Sequence, residues 1–229
     1  MKKLTKRLKS NRKKIENRLY QKEEAIALLK EVTNAKFIES IEIHAALSID
    51  PKYSDQQLRS TLILPKGTGK IKRIALLMPS EAITSEYQTL ADIVGSEDLI
   101  ELISQGILNF DILLSTPDMM PKLAKVGRIL GPKGLMPSPK AGTVTNNIKL
   151  TLEEFKKGKL EYRADKTGIV HVMIGKSNFT NSDLLENLIA IYNSLEINRP
   201  PGVKGRYFKT FHICSTMGPS IPLDISTFK

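Results

Sequence analysis

The segment Pro65-Lys66-Gly67-Thr68-Gly69 separates two different patterns of hydrophobic residues along the chain. Before it, Ile41 to Ile49 carries an apolar residue at every second position, which is typical of a strand with one buried face. After it, Ile71 to Met78 is a mostly apolar run, which predicts a further strand. Because proline and glycine interrupt regular structure, the segment predicts a hinge between two domains.

The residues before the hinge predict an α+β arrangement. Glu24 to Val32 places its apolar side chains on one stripe, which is typical of an amphipathic helix. The alternating strand from Ile41 should end at the turn Asp50-Pro51, and Arg59 to Leu64 predicts a second strand that stops at Pro65.

The residues after the hinge predict a parallel sheet. The apolar run Ile71 to Met78 precedes a helical stretch from Ala82 to Ile93 and a second helix between Ser96 and Gly106. A short apolar run from Phe110 to Leu114 follows them. The order strand, helix, helix, strand therefore predicts a Rossmann-like α/β sheet.

The next part of the chain contains many glycines and prolines. A helix is predicted from Asp118 to Val126, and residues 127 to 142 are too rich in Gly and Pro for regular structure, which predicts a long loop. Thr151 to Glu154 matches a capping box and predicts a short helix that ends at Gly158.

Alternation with a period of two returns from Leu160. Residues 160 to 164 and 169 to 174 predict a hairpin around the turn Asp165-Lys166-Thr167-Gly168. A helix from Asn181 to Leu195 and a final strand from Arg206 to Ser215 complete the pattern. We therefore predict an α+β sandwich whose antiparallel sheet combines both chain ends, residues 1–66 and 159–229. Residues 67–158 form the inserted Rossmann-like α/β domain, and two adjacent hinges would permit the domains to open and close.

The chain is strongly basic. It has 35 Lys and Arg against 24 Asp and Glu, a net charge of +11 and a pI of about 9.6, which favours a phosphate-bearing partner. Residues 1–22 contribute +9 of this charge: Glu16 opposes Lys2, Lys3, Lys6, Arg7, Lys9, Arg12, Lys13, Lys14, Arg18 and Lys22. Leu4, Leu8, Ile15 and Leu19 have near-helical spacing, so either part of the segment forms a helix when it docks or the segment is a solvated tail.

Composition also limits the cellular compartments and the kinds of covalent cross-link that are expected. No run approaches the roughly 20 apolar residues of a membrane span and no secretory signal is present, so we expect a protein that works where it is made, without a membrane partner. The single cysteine, Cys214, excludes an internal disulfide and fits a reducing compartment.

The motifs that resemble enzyme sites are incomplete. Gly67-x-Gly69-Lys70 lacks the remaining residues of a phosphate loop and precedes a strand rather than a helix. The turn Pro79-Ser80-Glu81 has no glycine fingerprint for a dinucleotide. His44, His171, His212 and Cys214 fall on predicted strands without a zinc-ligand spacing, and packed or solvated side chains explain them better. We predict no catalysis, no cofactor and no metal.

The last strand has one face of mixed and polar residues, which carries Phe208, Thr210, His212, Cys214 and Thr216. It continues into Ser215-Thr216-Met217-Gly218-Pro219, whose small residues could approach a sugar-phosphate surface. An ordinary sheet edge and turn is the alternative explanation.

Residues 127–144, GRILGPKGLMPSPKAGTV, resemble the signature segment of the ribosomal protein L one family. Three further blocks agree in order and spacing: Ala35-Lys36-Phe37, Arg163-Ala164-Asp165-Lys166-Thr167-Gly168 and Ser215-Thr216-Met217-Gly218-Pro219. The resemblance covers essentially the whole chain. The stretch Asp50 to Arg59 is similar to the cyanobacterial and plastid branch of that family.

The resemblance implies the two-domain fold and a role as a structural constituent of the large ribosomal subunit. Members bind large-subunit ribosomal RNA to form a mobile stalk near the exit site and assist release of deacylated transfer RNA, and bacterial members repress their own messenger RNA. Matching motifs place the RNA surface at Lys36, Phe37, Lys166, Thr167, Gly168, Thr210, Ser215, Thr216, Met217 and Gly218.

Hydroxyls, backbone amides and closely approaching glycines at these positions suit recognition of structured RNA through phosphates and 2′-hydroxyls. In the signature loop, Arg128, Lys133 and Lys140 could contact RNA, although a bracing role within the inserted domain is favoured. A nucleic-acid-binding regulator acting off the ribosome is the alternative function, and a Rossmann enzyme is disfavoured. The expected compartment is the plastid (chloroplast) stroma, with the cyanobacterial or bacterial cytoplasm as the alternative.

Overall fold

A computed structural model describes residues 5–228, apart from the side chains of Ser85 and Gln88. The helices are α1 (Lys6–Lys13), α2 (Lys22–Val32), α3 (Ser85–Leu90), α4 (Glu97–Ser104), α5 (Met120–Leu123), α6 (Gly127–Leu130), α7 (Ile148–Lys156) and α8 (Asn181–Ile197). The strands are β1 (Ser40–Leu47), β2 (Arg59–Ile63), β3 (Ile74–Leu77), β4 (Ile93–Gly95), β5 (Ile112–Ser115), β6 (Lys159–Arg163), β7 (Ile169–Lys176), β8 (Phe208–Ser215) and β9 (Ile221–Pro222).

The chain divides into two compact units. The terminal unit comprises Met1–Gly69 and Leu160–Lys229, and the inserted unit comprises Lys70–Lys159. Each unit has hydrophobic core residues of its own. Together they form the mixed α/β fold with several sheets that the sequence predicts. The division into domains of residues 1–66 with 159–229, and of 67–158, stays a prediction, as does independent folding of the first.

The main sheet of the terminal unit has the strand order β7-β1-β8-β9. Strand β1 pairs antiparallel with β7 on one side and with β8 on the other, and β8 pairs antiparallel with β9. Strand β1 precedes the inserted unit and its partners follow it, so the prediction of an antiparallel sheet built from both chain ends is confirmed.

The core of the terminal unit lies on one face of this sheet. Burial alternates along β1 as predicted, with Ile41, Ile43, Ala45 and Leu47 all buried. Helices α2 and α8 contribute the opposing apolar side chains, including Ile26, Leu29, Leu188 and Ile191. Helix α8 begins with a complete capping box, in which Thr180 and Asp183 bond to each other's backbone N–H.

Asn187 of α8 fixes the Pro65–Gly69 segment to the terminal unit. Its side chain is fully buried; the amide oxygen accepts from Lys66 N at 3.1 Å, and the amide nitrogen donates to Gly67 O at 3.0 Å and Ile174 O at 2.7 Å. One amide therefore joins the segment to both α8 and β7. This arrangement leaves little unused hydrogen-bonding capacity in the side chain.

Part of the basic N-terminal segment, Lys6–Lys13, forms the helix α1, which favours the docked helix over the solvated tail. Thr5 caps the helix by accepting from Leu8 N, and buried Asn11 anchors it by donating to Val32 O at 2.7 Å. Lys2, Lys3 and Leu4 lie outside the described residues. Between residues 5 and 228, no helix is long and apolar enough to span a bilayer.

The inserted unit contains a parallel sheet of order β4-β3-β5, as predicted. Successive side chains of β3 point to opposite faces, so Ala75 and Leu77 enter one core with residues from α4 to α6. Ile74 and Leu76 enter a second core with residues of α7. The fully buried pattern of β3 reflects apolar packing on both faces.

Two boundaries in this unit correct the sequence predictions. Ile71 is 96% exposed and lies outside the sheet, because β3 begins only at Ile74. The helix predicted from Ala82 to Ile93 is shorter than predicted, since α3 covers only Ser85–Leu90. Ile93, its predicted last residue, begins strand β4 instead. The carboxylate of Asp92 accepts from Ile74 N at 2.7 Å, which fixes the start of β4 beside β3.

The stretch from Asp118 to Val126 is not one helix. It contains 3₁₀ turns on both sides of α5, and Pro117 and Pro121 remove two backbone donors there. The prediction that residues 127–142 lack regular structure was also wrong in part, because Gly127–Leu130 forms α6 and Pro139–Ala141 a 3₁₀ turn. Leu130 is buried in the core, which favours the bracing role of this segment.

The helix predicted to start at Thr151 begins one turn earlier, at Ile148. Thr151 is an interior residue whose hydroxyl donates to Asn147 O at 3.0 Å, so the capping-box interpretation was wrong. Gly158 ends this region with a φ of +102°, which suits a glycine after a helix.

The predicted hairpin of residues 160–174 is also corrected. Its turn is present, with Asp165 N donating to Ile169 O, but only one bridge, Ala164 to Val170, joins the arms. Strand β6 instead pairs with β2 in a separate two-stranded sheet. Strand β8 is not the last strand either, because β9 follows it.

Asn187→Ala should destabilise the terminal unit by about 1–3 kcal/mol, because it leaves the buried Ile174 carbonyl and the partly buried Lys66 N–H and Gly67 carbonyl without their partner. Asn193→Ala is the matched control, since Asn193 is exposed on the same helix. Urea unfolding followed by circular dichroism would measure both. Equal midpoints for the two variants would contradict the anchoring role of Asn187.

Candidate nucleic-acid interface

The second face of the antiparallel sheet points away from α2 and α8. On β1 it carries Glu42, His44 and Ala46, which alternate with the buried core residues and are half-buried. On the flanking strands it carries exposed His171 and half-buried Met173, His212 and Cys214. This open face connects two groups of residues that the sequence assigns to a site.

The first group lies where β1 begins and β8 ends. Because Ile41 pairs with Ser215, the segment before β1 lies beside the turn after β8. Lys36 is exposed, and Phe37 and Met217 expose 55% and 52% of their surfaces. Ile38, which sequence reasoning missed, is 57% exposed. This end therefore presents a cation together with large apolar side chains.

Hydrogen bonds between Ser40 and Thr216 hold this end together. The Thr216 hydroxyl accepts from Ser40 N at 3.0 Å and donates to Ser40 O at 3.2 Å, and Thr216 N also donates to Ser40 O. The hydroxyl retains one lone pair that could accept from a ligand. Loss of this hydroxyl would therefore also disturb the local backbone.

Ser215 and Gly218 shape the turn rather than its surface. The Ser215 side chain is 1% exposed, which places it beneath the turn, and its contact with RNA stays a prediction. Gly218 N donates to Ser215 O, and a side chain at Gly218 would collide with the Ser215 hydroxyl. A glycine is required here for this close approach.

The second group lies at the other end of β1, in the turn before β7. Asp165 organises this turn: its Oδ1 accepts from Ile169 N at 2.8 Å and Thr167 N at 2.9 Å, and the Thr167 hydroxyl donates to the same carboxylate. These bonds, led by that from Ile169, lower the pKa of Asp165 to about 2. Lys166 and Thr167 remain exposed at the tip.

Gly168 and Thr210 complete the second group. Gly168 is buried with a φ of +79°, and a Cβ there would lie 2.8 Å from Ile49 O, so it lets the turn approach β1. Thr210 is exposed and pairs with Ala46, which places it at this end. The eight residues of β1 separate the two groups by about 25 Å at roughly 3.3 Å per residue.

A row of histidines crosses the middle of the open face, since His44 pairs with both His171 and His212. His44 Nδ1 lies 2.7 Å from His171 Nδ1, and His44 Nε2 lies 3.0 Å from Cys214 Sγ. Because the two contacts use opposite sides of one ring, they do not converge on one point. Within residues 5–228, no three His, Cys, Asp or Glu side chains could hold a metal ion.

His44, His212 and Cys214 favour their uncharged forms on this face. Burial, followed by repulsion from His171, lowers the pKa of His44, and burial lowers the pKa of His212. Burial and the nearby Glu42 raise the pKa of Cys214 to about 11. The neutral Cys214 thiol can then donate to His44 Nε2 while His44 Nδ1–H donates to His171, an arrangement that protonation of His44 would disrupt.

Helix α1 adds positive charge beside the first group. Arg7 Nη2 donates to Met217 O at 3.3 Å, which places the helix next to the turn after β8. Lys6, Lys9, Arg12 and Lys13 are exposed along it. Arg12 also lines a cavity of about 420 Å³ with His212 and Pro219. Sequence patterns indicated the charge of this helix but not its position.

A model of the ribosomal protein L1p/L10e family matches residues 29–219, which include both groups of the interface. The chain belongs to this family of ribosomal proteins. The resemblance found in the signature segment is thereby confirmed, and the family consists of structural ribosomal proteins rather than enzymes.

Ribosomal proteins of known name are similar in sequence to this chain over at least 99% of its length. The large ribosomal subunit protein uL1c of Trieres chinensis is 60% identical over 229 residues, all of both chains. The protein of that name from Guillardia theta is 59% identical over 229 residues, covering all of this chain and 98% of the relative. The large ribosomal subunit protein uL1 of Prochlorococcus marinus (strain AS9601) is 55% identical over 226 residues, covering 99% and 96%.

The free protein should lose thermal stability as the pH falls from about 7.5 to about 5. His44 and His212 have lowered pKa values in the folded chain, so the unfolded chain takes up protons first, near pH 6.5, and is favoured. The loss should level off once the folded histidines are protonated. Thermal melts of wild type and of a His44→Gln, His212→Gln double variant measure this effect. An equally steep profile in the double variant would contradict the assignment.

Proposed function

We propose that this ribosomal protein binds a folded element of large-subunit ribosomal RNA through the terminal unit. The proposed surface is the open sheet face with the groups at its two ends. The observation that supports it most strongly is the exposure of Phe37 and Met217 beside the cations Lys36 and Arg7. Large apolar side chains exposed beside basic ones suit a partner that offers both bases and phosphates.

The chemistry of each group matches a different part of an RNA ligand. Phe37, Ile38 and Met217 offer flat or flexible apolar surface to exposed bases and riboses. Lys166 and Thr210 at the far end offer a cation and a hydroxyl to phosphates or 2′-hydroxyls. Because the two groups are fixed about 25 Å apart, they would select a folded RNA of matching shape.

The charge distribution supports the same partner. The folded helix α1 concentrates basic side chains beside the first group, and the whole chain carries +11. Neutralised phosphates release counterions, so affinity should decline steeply with salt. The exposed side chains of Arg128, Lys133 and Lys140 in the inserted unit offer secondary contacts.

The family assignment extends this proposal to the ribosome. Bound to its RNA element, the protein would form the mobile stalk near the exit site and assist release of deacylated transfer RNA, and it could repress its own messenger RNA. The uL1c relatives support a place in the plastid ribosome, and the cyanobacterial uL1 relatives fit the alternative compartment.

A nucleic-acid-binding regulator that acts off the ribosome is the competing function. The same basic, partly apolar surface could bind a messenger RNA alone. Sedimentation of cell extracts at moderate salt separates the two functions. The ribosomal role requires the protein in the large-subunit fraction, whereas a regulator would remain free or with messenger RNA.

Phe37→Ala and Met217→Ala should each weaken binding to a transcript of the stalk element of large-subunit RNA by about 1–3 kcal/mol, or roughly 5- to 150-fold in Kd. Thermal stability should change little, because both side chains are more than half exposed. Titrations and thermal melts measure the two effects. Ile197→Ala is the control, since Ile197 is 82% exposed at the end of α8. Wild-type affinity in both variants would place the RNA surface elsewhere.

A further inference from the structure

Glu39 is an acidic residue in the interior of the terminal unit. Its side chain is 1% exposed, and among residues 5–228 it is the only acidic or basic residue that is buried. Removing a carboxylate from water is costly unless strong hydrogen bonds replace its hydration. The position of Glu39 therefore requires a structural explanation.

The carboxylate bonds to two segments that are far apart in sequence. Its Oε1 accepts from Ala35 N at 3.1 Å, and its Oε2 accepts from Met217 N at 2.9 Å. The backbone of Glu39 is fixed as well, because Ser177 N donates to its carbonyl at 2.9 Å. One side chain thus joins the segment that carries Phe37 to the turn that carries Met217.

We propose that Glu39 is a positioning residue for RNA binding, which ties the segment Ala35–Ile38 to the turn Thr216–Gly218. This inference rests on the proposed RNA-binding function of these two segments. With the Ala35 and Met217 amides turned inward to one carboxylate, the side chains of Phe37 and Met217 stay directed outward and exposed. A surface held in its binding conformation avoids the entropic cost of ordering on association.

The geometry requires a carboxylate in particular. Both side-chain oxygens accept from a backbone N–H, and an ionised carboxylate consists of acceptors only. A glutamine has nearly the same shape but replaces one oxygen with a donor NH₂ group. That NH₂ would face either the Ala35 or the Met217 N–H, so one of the two segments would lose its tether.

The tether opposes the natural tendency of this surface to collapse. Phe37, Ile38 and Met217 each expose more than half of their surface, and apolar side chains in water are stabilised by packing together. The Ser40–Thr216 bonds fix the first residue of the turn but do not reach Met217 N or Ala35 N. Glu39 supplies the bonds to those two amides.

Glu39→Gln should raise the Kd for the stalk RNA transcript at least about tenfold at a temperature where the variant is fully folded. In the free variant, hydrogen exchange should accelerate at the Ala35 or Met217 amide while the protected core amides of β1 and α8 keep their rates. A residue with a merely structural role would change global stability without changing the Kd of the folded protein. If the variant does not fold, Glu39→Asp, which is one methylene shorter and cannot reach both amides, should show the same loss.

Asp183→Asn is the matched control. The Asp183 carboxylate also accepts from a backbone N–H, that of Thr180, but it caps α8, which packs against the other face of the sheet. It should lower stability and leave the Kd unchanged. If folded Glu39→Gln keeps wild-type affinity and wild-type exchange rates while Phe37→Ala and Met217→Ala bind more weakly, the positioning role of Glu39 is wrong but the RNA surface stands. Wild-type affinity in all three variants would overturn the proposed RNA surface itself.

Discussion

The pairing of β1 with strands on both of its sides is the constraint on which the candidate interface depends. Its partners β7 and β8 lie more than 100 residues away in sequence, and its alternating side chains divide the sheet into a packed face and an open face. The registers with β7 and β8 bring Lys166 and Thr210 to one end and Met217 to the other. A slip of one residue would exchange core and surface side chains, so packing of Ile41 and Ile43 against α2 and α8 also fixes the interface.

Backbone amides bound to carboxylates hold the two ends of the interface. Asp165 accepts from the turn before β7, and Glu39 accepts from the segment before β1 and from the turn after β8, which lie at the same end of this strand pair. The hydroxyls of Thr167 and Thr216 are engaged in the same internal networks. In the proposed function, they would contribute to recognition largely through the shape of the turns, while exposed side chains such as Phe37 and Lys166 would make direct contacts.

The sequence predicted the elements whose periodicity extends over several residues. Alternation along β1 and the stripe of α2 identified the core faces because burial imposes those periods. Strands β4 and β9 have three and two residues, too few to show a period. The capping box at Thr151 was predicted wrongly because a four-residue pattern does not show whether the helix already begins before it, as α7 does at Ile148. The ten site residues came from the family motifs, whereas Glu39 has no local signal, since its second partner is 178 residues away.

The central claim is that RNA binds the open sheet face of the terminal unit and the groups at its ends. Hydrogen-exchange mass spectrometry of the full chain, free and bound to the stalk RNA transcript, tests it most directly. We predict slower exchange in the segments around 35–40, 165–171 and 208–218 and in α1, with little change in most of residues 70–159. Protection confined to residues 70–159, with none along β1 and β8, would contradict the claim.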